Sequence, residues 1–142
     1  MKKLFIILTL SFISNFSFSQ IFKINVFEVI HSYSMDTVEY SLTELLNKKD
    51  LSETRRIVDS SYELDLTHKH LNFYANGVFD READLVFTNI GNFYTIYFLI
   101  DGYNIGMLIN MDPSDEQVTW FSLFGAYQEI SRFTKFEIVK QL

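Results

Sequence analysis

The strongest constraint on the fold of this chain is a period-two alternation of apolar and polar residues over much of its length. Residues 62–66 and 71–75 each alternate in this way. Successive side chains of a strand point to opposite faces, so this pattern predicts half-buried β-strands. Turn signals separate such segments at Asn76-Gly77 and Asp101-Gly102, where tight hairpins are favoured. The pattern therefore predicts consecutive antiparallel hairpins.

Two further segments have apolar residues on both faces. In residues 93–100, Tyr94, Ile96 and Phe98 share one face, while Phe93 and Tyr97 share the other. This pattern is typical of a central strand that is covered on both sides. Residues 21–31 show the same property, which indicates a first strand that is covered twice or bends. Gly106, in the following segment, permits a bulge or close packing.

One helix is predicted near the N-terminus. Ser41 and Glu44 form a capping box, in which each side chain can bond to the backbone N–H of the other residue. A short helix over residues 42–49 follows, with three leucines on one face. Residues 51–56 suit either a loop or a helical turn, and residues 125–133 suit either a helix or a bent strand.

These elements together predict a mainly β fold of about seven or eight strands, since turn signals recur about every 8–12 residues. The expected architecture is an antiparallel meander that forms a strongly curved sheet or a small barrel, with the short helix over an open end or a face. The size and meander are similar in architecture to lipocalin-like barrels, although no family motif accompanies the similarity.

The N-terminus resembles a secretory signal peptide. Lys2 and Lys3 precede an apolar run over residues 4–13, and the small residues Ser17 and Ser19 suit cleavage before Gln20. We therefore expect a signal peptide over residues 1–19, a single β-rich domain over residues 20–142, and a periplasmic or extracellular location. No cysteine is available for a lipid anchor, and we expect no membrane anchor after cleavage.

Charge and composition exclude several classes of function. The formal net charge is −6, and no basic stripe is present, so nucleic acid is not an expected partner. The absence of cysteine excludes thiol chemistry and thiolate metal sites. The sequence contains no nucleophile elbow, P-loop or zinc-protease motif. Glu63 and Asp65 share a strand face, and they suit an exposed polar face better than a catalytic pair.

Two segments contain residue types that bind metal ions but lack the number or the spacing of ligands that a metal site needs. His68 and His70 would share a face of a strand and could bind zinc or copper, but two ligands are too few, and His31 is distant in sequence. Residues 112–116 are rich in oxygen ligands but lack the spacing of a calcium loop. Polar turns explain both segments, and we predict no metal and no other cofactor.

The aromatic residues supply the best candidate for a binding site. On a curved sheet they could line a pocket for a small apolar ligand, or they could fill the core of a domain without disulfides. We therefore expect a binding or interaction module for a small apolar ligand or a protein, rather than an enzyme. The alternatives are a small secreted hydrolase and an acidic inhibitor or immunity-type protein, and exposed sheet edges would allow a homodimer. The predicted ligand-binding residues are Tyr94, Tyr97, Phe98, Tyr103, Trp120 and Phe121.

Overall fold

The computed structural model describes residues 20–34, 38–100, 103–124 and 127–141, with the backbone alone at residues 99, 100, 103, 104, 124 and 127. Eight antiparallel strands follow one another around a closed barrel, and helix α1 (Leu42–Asn47) lies between the first two. The strands are β1 (Ile21–Tyr33), β2 (Ser52–Asp65), β3 (His70–Ala75), β4 (Val78–Ile90), β5 (Phe93–Ile100), β6 (Tyr103–Asn110), β7 (Gln117–Phe124) and β8 (Tyr127–Gln141).

The predicted β-meander is confirmed, and of its two forms the closed barrel is the one observed. Each strand pairs with the next, and β8 returns to pair with β1. The two ambiguous segments are extended: β2 begins at Ser52, and β8 is one strand from Tyr127 onward. Residues 125 and 126, and the predicted signal peptide over residues 1–19, lie outside the described residues.

The barrel interior forms the main hydrophobic core. At the end where β1, β5 and β7 begin, the Phe22 and Tyr94 rings meet edge to face with their centroids 5.7 Å apart. The buried members of this core are Phe22, Ile24, Val26, Val29, Leu64, Leu66, Leu71, Leu85, Ile96, Phe98, Met107, Ile109, Val118 and Phe133.

A bulge explains why β1 is apolar on both faces. The registers with β2 and with β8 both shift between Val26 and Glu28. Phe27 is 46% exposed, whereas Glu28 is 4% exposed. Thr134 donates a hydrogen bond of 2.9 Å to the buried carboxylate, and Arg55 and Lys135 form ion pairs with it. The bend predicted for this strand is therefore present, and polar partners surround the acid that it buries.

Helix α1 covers part of the outer wall of the barrel. The predicted capping box is present, with Ser41 and Glu44 bonded to each other's backbone N–H. Leu45 packs in a second buried cluster with Phe121 of β7 and Ile130 of β8. The chain before the helix is held by the buried side chain of Gln128, which accepts from Tyr40 N and donates to Tyr40 O.

The outer wall beneath the helix depends on the missing side chain of Gly106. A Cβ atom at this position would lie 2.3 Å from Cζ of Phe121 and 2.5 Å from the carbonyl oxygen of Ile96. The second contact is with backbone, which cannot rotate away. The close packing predicted at Gly106 is therefore confirmed, and it leaves room for the Phe121 ring beside β6.

We expect Gly106→Ala to lower the free energy of unfolding by about 1–3 kcal/mol, the usual range for overpacking a filled core. Urea unfolding followed by circular dichroism measures this change. Thr88→Ala, at an exposed position of β4, is the control and should change stability by less than about 0.5 kcal/mol. Equal midpoints for Gly106→Ala and the native chain would contradict the contact described above.

Acidification should weaken the barrel through Glu28. The Thr134 hydrogen bond is the largest effect on the pKa of Glu28 and, with the charges of Lys135 and Arg55, holds it below the ordinary value despite burial. A lowered pKa contributes stability above the ordinary carboxyl range that is lost as the pH falls through the folded-state pKa. The stability difference between the native chain and Glu28→Gln should therefore shrink as the pH falls below about 4.5.

Urea titrations between neutral and acidic pH measure this difference. Thr134→Val removes the main hydrogen bond to the carboxylate of Glu28. The difference in the free energy of unfolding between the native chain and Thr134→Val should therefore also shrink as the pH falls. A difference between the native chain and Glu28→Gln that stays constant with pH would show that Glu28 is not preferentially ionised in the folded state.

Candidate functional site

Side chains fill one end of the barrel interior, whereas the other end contains a cavity. A cavity of about 530 Å³ lies between the C-terminal part of β1, the N-terminal part of β2 and the facing strands. Small side chains border it at Val26, Val58, Ala75 and Ser131, so the wall recedes from the barrel axis. The larger part of the wall is apolar or aromatic, and its main contributors are Val58, Tyr62, Phe73, Ile105, Trp120 and Phe133.

Tyr62 is the centre of the aromatic wall. Its ring centroid lies 4.8 Å from that of Phe73, 5.5 Å from that of Trp120 and 5.7 Å from that of Phe133. Burial raises the pKa of Tyr62, and the positive charge of Arg81 opposes this effect only in part. The phenol therefore stays neutral and keeps its O–H group. Tyr62 thus adds one uncharged polar group to an otherwise apolar surface.

A compact polar cluster interrupts the apolar wall. His31 of β1 faces Ser131 of β8 directly across the strand pair, and Glu129 lies two residues earlier on β8. The Nδ1 atom of His31 lies 2.6 Å from Oε1 of Glu129 and 2.6 Å from Oγ of Ser131. Ser131 in turn donates a hydrogen bond of 3.1 Å to Glu129. All three residues border the cavity.

The cluster has the composition of a serine–histidine–acid triad but a different geometry. In a triad the acid holds one ring nitrogen and the serine contacts the other. Here Glu129 and Ser131 contact the same nitrogen of His31. His31 is therefore not placed to accept the Ser131 proton through Nε2. The arrangement instead orients the imidazole and leaves Nε2 as the ring nitrogen that a ligand or a proton could use.

Charged side chains surround the mouth of the cavity. Arg56, Asp59 and Arg81 all border it. Arg81 is held by Asp80, with 2.8 Å between Nε and Oδ2. Both signs of charge occur at the rim, so the rim does not select strongly by charge.

The structure separates the described members of the aromatic set that was predicted to bind a ligand. Trp120 borders the cavity, and its ring centroid lies 5.3 Å from that of Phe98, which is buried behind it. Tyr94 packs at the opposite end of the interior. Tyr97 is 46% exposed on the outer wall, where it meets Phe121 beneath α1.

The remaining aromatic residue of the set, Tyr103, lies in β6, and its side chain is outside the described residues. The ligand-binding role of the set stays a prediction. Of the described members, Trp120 is the one that the geometry brings to the cavity.

The other predicted candidates lie on the outside of the barrel. His68 pairs with Asp65 at 2.7 Å in the β2–β3 turn, while His70 pairs with Glu82 on β4 at 3.2 Å. In the part of the chain that the structure describes, no three His, Asp or Glu residues are grouped to hold a metal ion. Asp112 accepts hydrogen bonds from both N and Oγ of Ser114, and these bonds lower its pKa, as expected of a polar turn.

Sequence reasoning did not find the polar cluster because it joins residues about 100 positions apart. A signal was present in β8, where Glu129, Ser131 and Phe133 alternate with period two and share the cavity wall. Residues 126, 130 and 133 also have the spacing of a helix, so the sequence left this segment open between a helix and a strand. Once β8 is assigned as a strand, closure of the barrel is the further step that pairs His31 with this face of β8.

Comparison with known proteins leaves the function of this barrel to be argued from its geometry. No family model, curated protein or solved structure matches the chain. No helix formed by the described residues is long and apolar enough to span a membrane.

Proposed function

We propose that this protein is a non-enzymatic binding module that holds one small, mainly apolar molecule inside its barrel. The observation that carries the proposal is the cavity of about 530 Å³ with its aromatic wall. Ligand sites usually occupy about 300–1,000 Å³ and combine apolar walls with a few polar groups. A barrel of about eight strands has an interior wide enough for one small ligand.

The chemistry of the wall supports an aromatic or alicyclic ligand. Trp120, Tyr62 and Phe73 offer flat ring surfaces, on which an apolar ring can stack. Polar side chains border the cavity at His31 and at the rim, but the larger part of the wall is apolar, so most of a ligand's surface would meet carbon atoms. A polar or highly charged molecule would lose its hydration without enough partners in return.

A small hydrolase is the second candidate. The observation that favours it is the contact of 2.6 Å between His31 and Glu129, because an oriented imidazole can act as a general base. The shared use of Nδ1 by Glu129 and Ser131 weighs against a serine nucleophile. Hydrolysis of p-nitrophenyl acetate that His31→Gln abolishes would favour this candidate over the binding module.

The other predicted partners have less support. An acidic inhibitor would use a charged face rather than a cavity, and the net charge of −6 alone favours it. Pairing of β8 with β1 closes the barrel, but β3 pairs with β2 over residues 60–65 only, so the earlier part of β2 has no strand partner on that side among the described residues. A protein partner and a homodimer stay predictions.

We expect the neutral dye N-phenyl-1-naphthylamine to bind the native barrel and to quench Trp120, the single tryptophan of the chain, by energy transfer. Val58 borders the cavity, and the larger side chain of Val58→Phe should occupy part of it. This variant should bind the dye at least about tenfold more weakly, a loss of about 1.4 kcal/mol. Fluorescence titration measures both effects.

Val86→Phe is the matched control, because Val86 is 68% exposed and does not border the cavity. The same substitution there should leave dye affinity unchanged. Tyr97→Ala on the outer wall should also bind normally, whereas Trp120→Ala should weaken binding of the dye, measured by its own emission. Equal affinities for Val58→Phe and Val86→Phe, or no binding to the native chain, would contradict the proposal.

We also propose that the barrel is exported and acts in a periplasm or outside the cell. The support is the tripartite pattern of residues 1–19 described above. Gln20, the residue after the proposed cut, is bonded to the barrel: Gln20 N donates to Oγ1 of Thr67, and Leu66 N donates to the carbonyl oxygen of Gln20. Cleavage before Gln20 would leave both contacts in place.

Export predicts a specific mature mass. The protein recovered from the envelope or medium of its own host should begin at Gln20, as measured by intact mass spectrometry. Replacing Leu8 in the apolar run with Arg should prevent this cleavage and leave the chain inside the cell. A native chain that keeps Met1 and stays in the cytosol would contradict the export proposal, without bearing on ligand binding.

A further inference from the structure

The contacts of His31 assign the position of its ring proton. Glu129 is an acceptor when ionised, so the nitrogen 2.6 Å from its Oε1 atom carries the hydrogen. Ser131 fits the same assignment, because its oxygen can accept from Nδ1 while its own hydrogen is donated to Glu129. An imidazole that carries its single ring proton on Nδ1 presents a lone pair at Nε2.

The Nε2 atom is accessible, and His31 borders the cavity. Both contacts of His31 use Nδ1, and no described group is bonded to Nε2. The described residues contain no buried side-chain nitrogen or oxygen that lacks a partner, so Nε2 is not sealed within the wall. The His31 side chain is 26% exposed and borders the cavity, which gives Nε2 access to a molecule inside it.

We infer that Nε2 of His31 is the polar anchor of the cavity and that it selects ring-containing ligands that carry a neutral hydroxyl donor, such as phenols. This inference rests on the proposed ligand-binding function and specifies its ligand class. The hydroxyl donates to Nε2, and the apolar ring lies against the aromatic wall around Tyr62. Glu129 and Ser131 are positioning residues, because they hold the ring and fix its proton without contacting the ligand.

Neutral donors fit this anchor better than anions do. The carboxylate of Glu129 borders the same cavity and would repel a ligand carboxylate. Arg56 and Arg81 at the rim could attract an anion, but Asp59 lies beside them, and Arg81 is already paired with Asp80. A phenol carries its donor on the ring itself and brings no charge into the apolar space.

The test compares three probes that share one ring system: 2-naphthol, 2-methoxynaphthalene and 2-naphthoate. Competition with N-phenyl-1-naphthylamine on the full-length chain reports the affinity of each. The native protein should bind 2-naphthol about tenfold more tightly than its methyl ether, because the ether cannot donate to Nε2. 2-Naphthoate should bind more weakly than 2-naphthol.

Variants then locate the preference. His31→Phe keeps a flat ring but has no acceptor, so the preference for 2-naphthol over the ether should disappear while the dye still binds. Glu129→Gln no longer fixes the proton on Nδ1, and the preference should shrink. His68→Phe is the matched control, because His68 is paired in the same manner with Asp65 but lies in an outer turn.

The outcomes separate this inference from the proposed function. Equal affinity of the native protein for 2-naphthol and its ether, or tighter binding of 2-naphthoate, would overturn the inference and leave the binding function standing. A preference that survives in His31→Phe would also overturn it. Failure of the dye and all three probes to bind would overturn the binding function itself. Retention of the preference in His68→Phe and its loss in His31→Phe support the anchor.

Discussion

The pairing of β8 with β1 is the interaction on which the rest of the structure depends. These are two of the longer strands, with 15 and 13 residues, and they are paired from Ile21 to Tyr33 apart from the bulge. Closure gives β1 a partner strand along each of its edges, which the first strand of an open sheet would lack. Closure also fixes the circumference at eight strands, so the interior has a set width that side chains or a ligand must fill.

The wall of this barrel is buried on both sides in places, because α1 covers part of its outer face, and aromatic residues lie on both sides. The interior core uses one face of β5 and β7, and the cluster beneath α1 uses the other face of β7. Phe121 and Trp120 are neighbours in sequence, yet one lies under the helix and the other at the cavity. Aromatic content alone therefore could not distinguish a core from a binding site in this chain.

The strands could be predicted because alternation and turn residues are local properties of the sequence. The capping box of α1 and the close packing at Gly106 were predictable for the same reason, since each involves one residue type at one place. Closure was not predictable, because an open curved sheet has the same alternation as a barrel. The site depended on closure: His31 meets Ser131 only when the first strand pairs with the last.

Short side chains that face inward contribute to the volume of the cavity. Phe22, Leu64 and Leu66 pack in the core, whereas Val26, Val58 and Ala75 border the cavity beside the rings of the aromatic wall. A barrel of fixed circumference cannot contract around shorter side chains. Each shorter residue therefore leaves empty volume at its own position along the barrel axis. The polar cluster borders the same cavity, where water or a ligand can reach His31. The same short side chains therefore contribute both to the space for a ligand and to the access of that ligand to its polar partner.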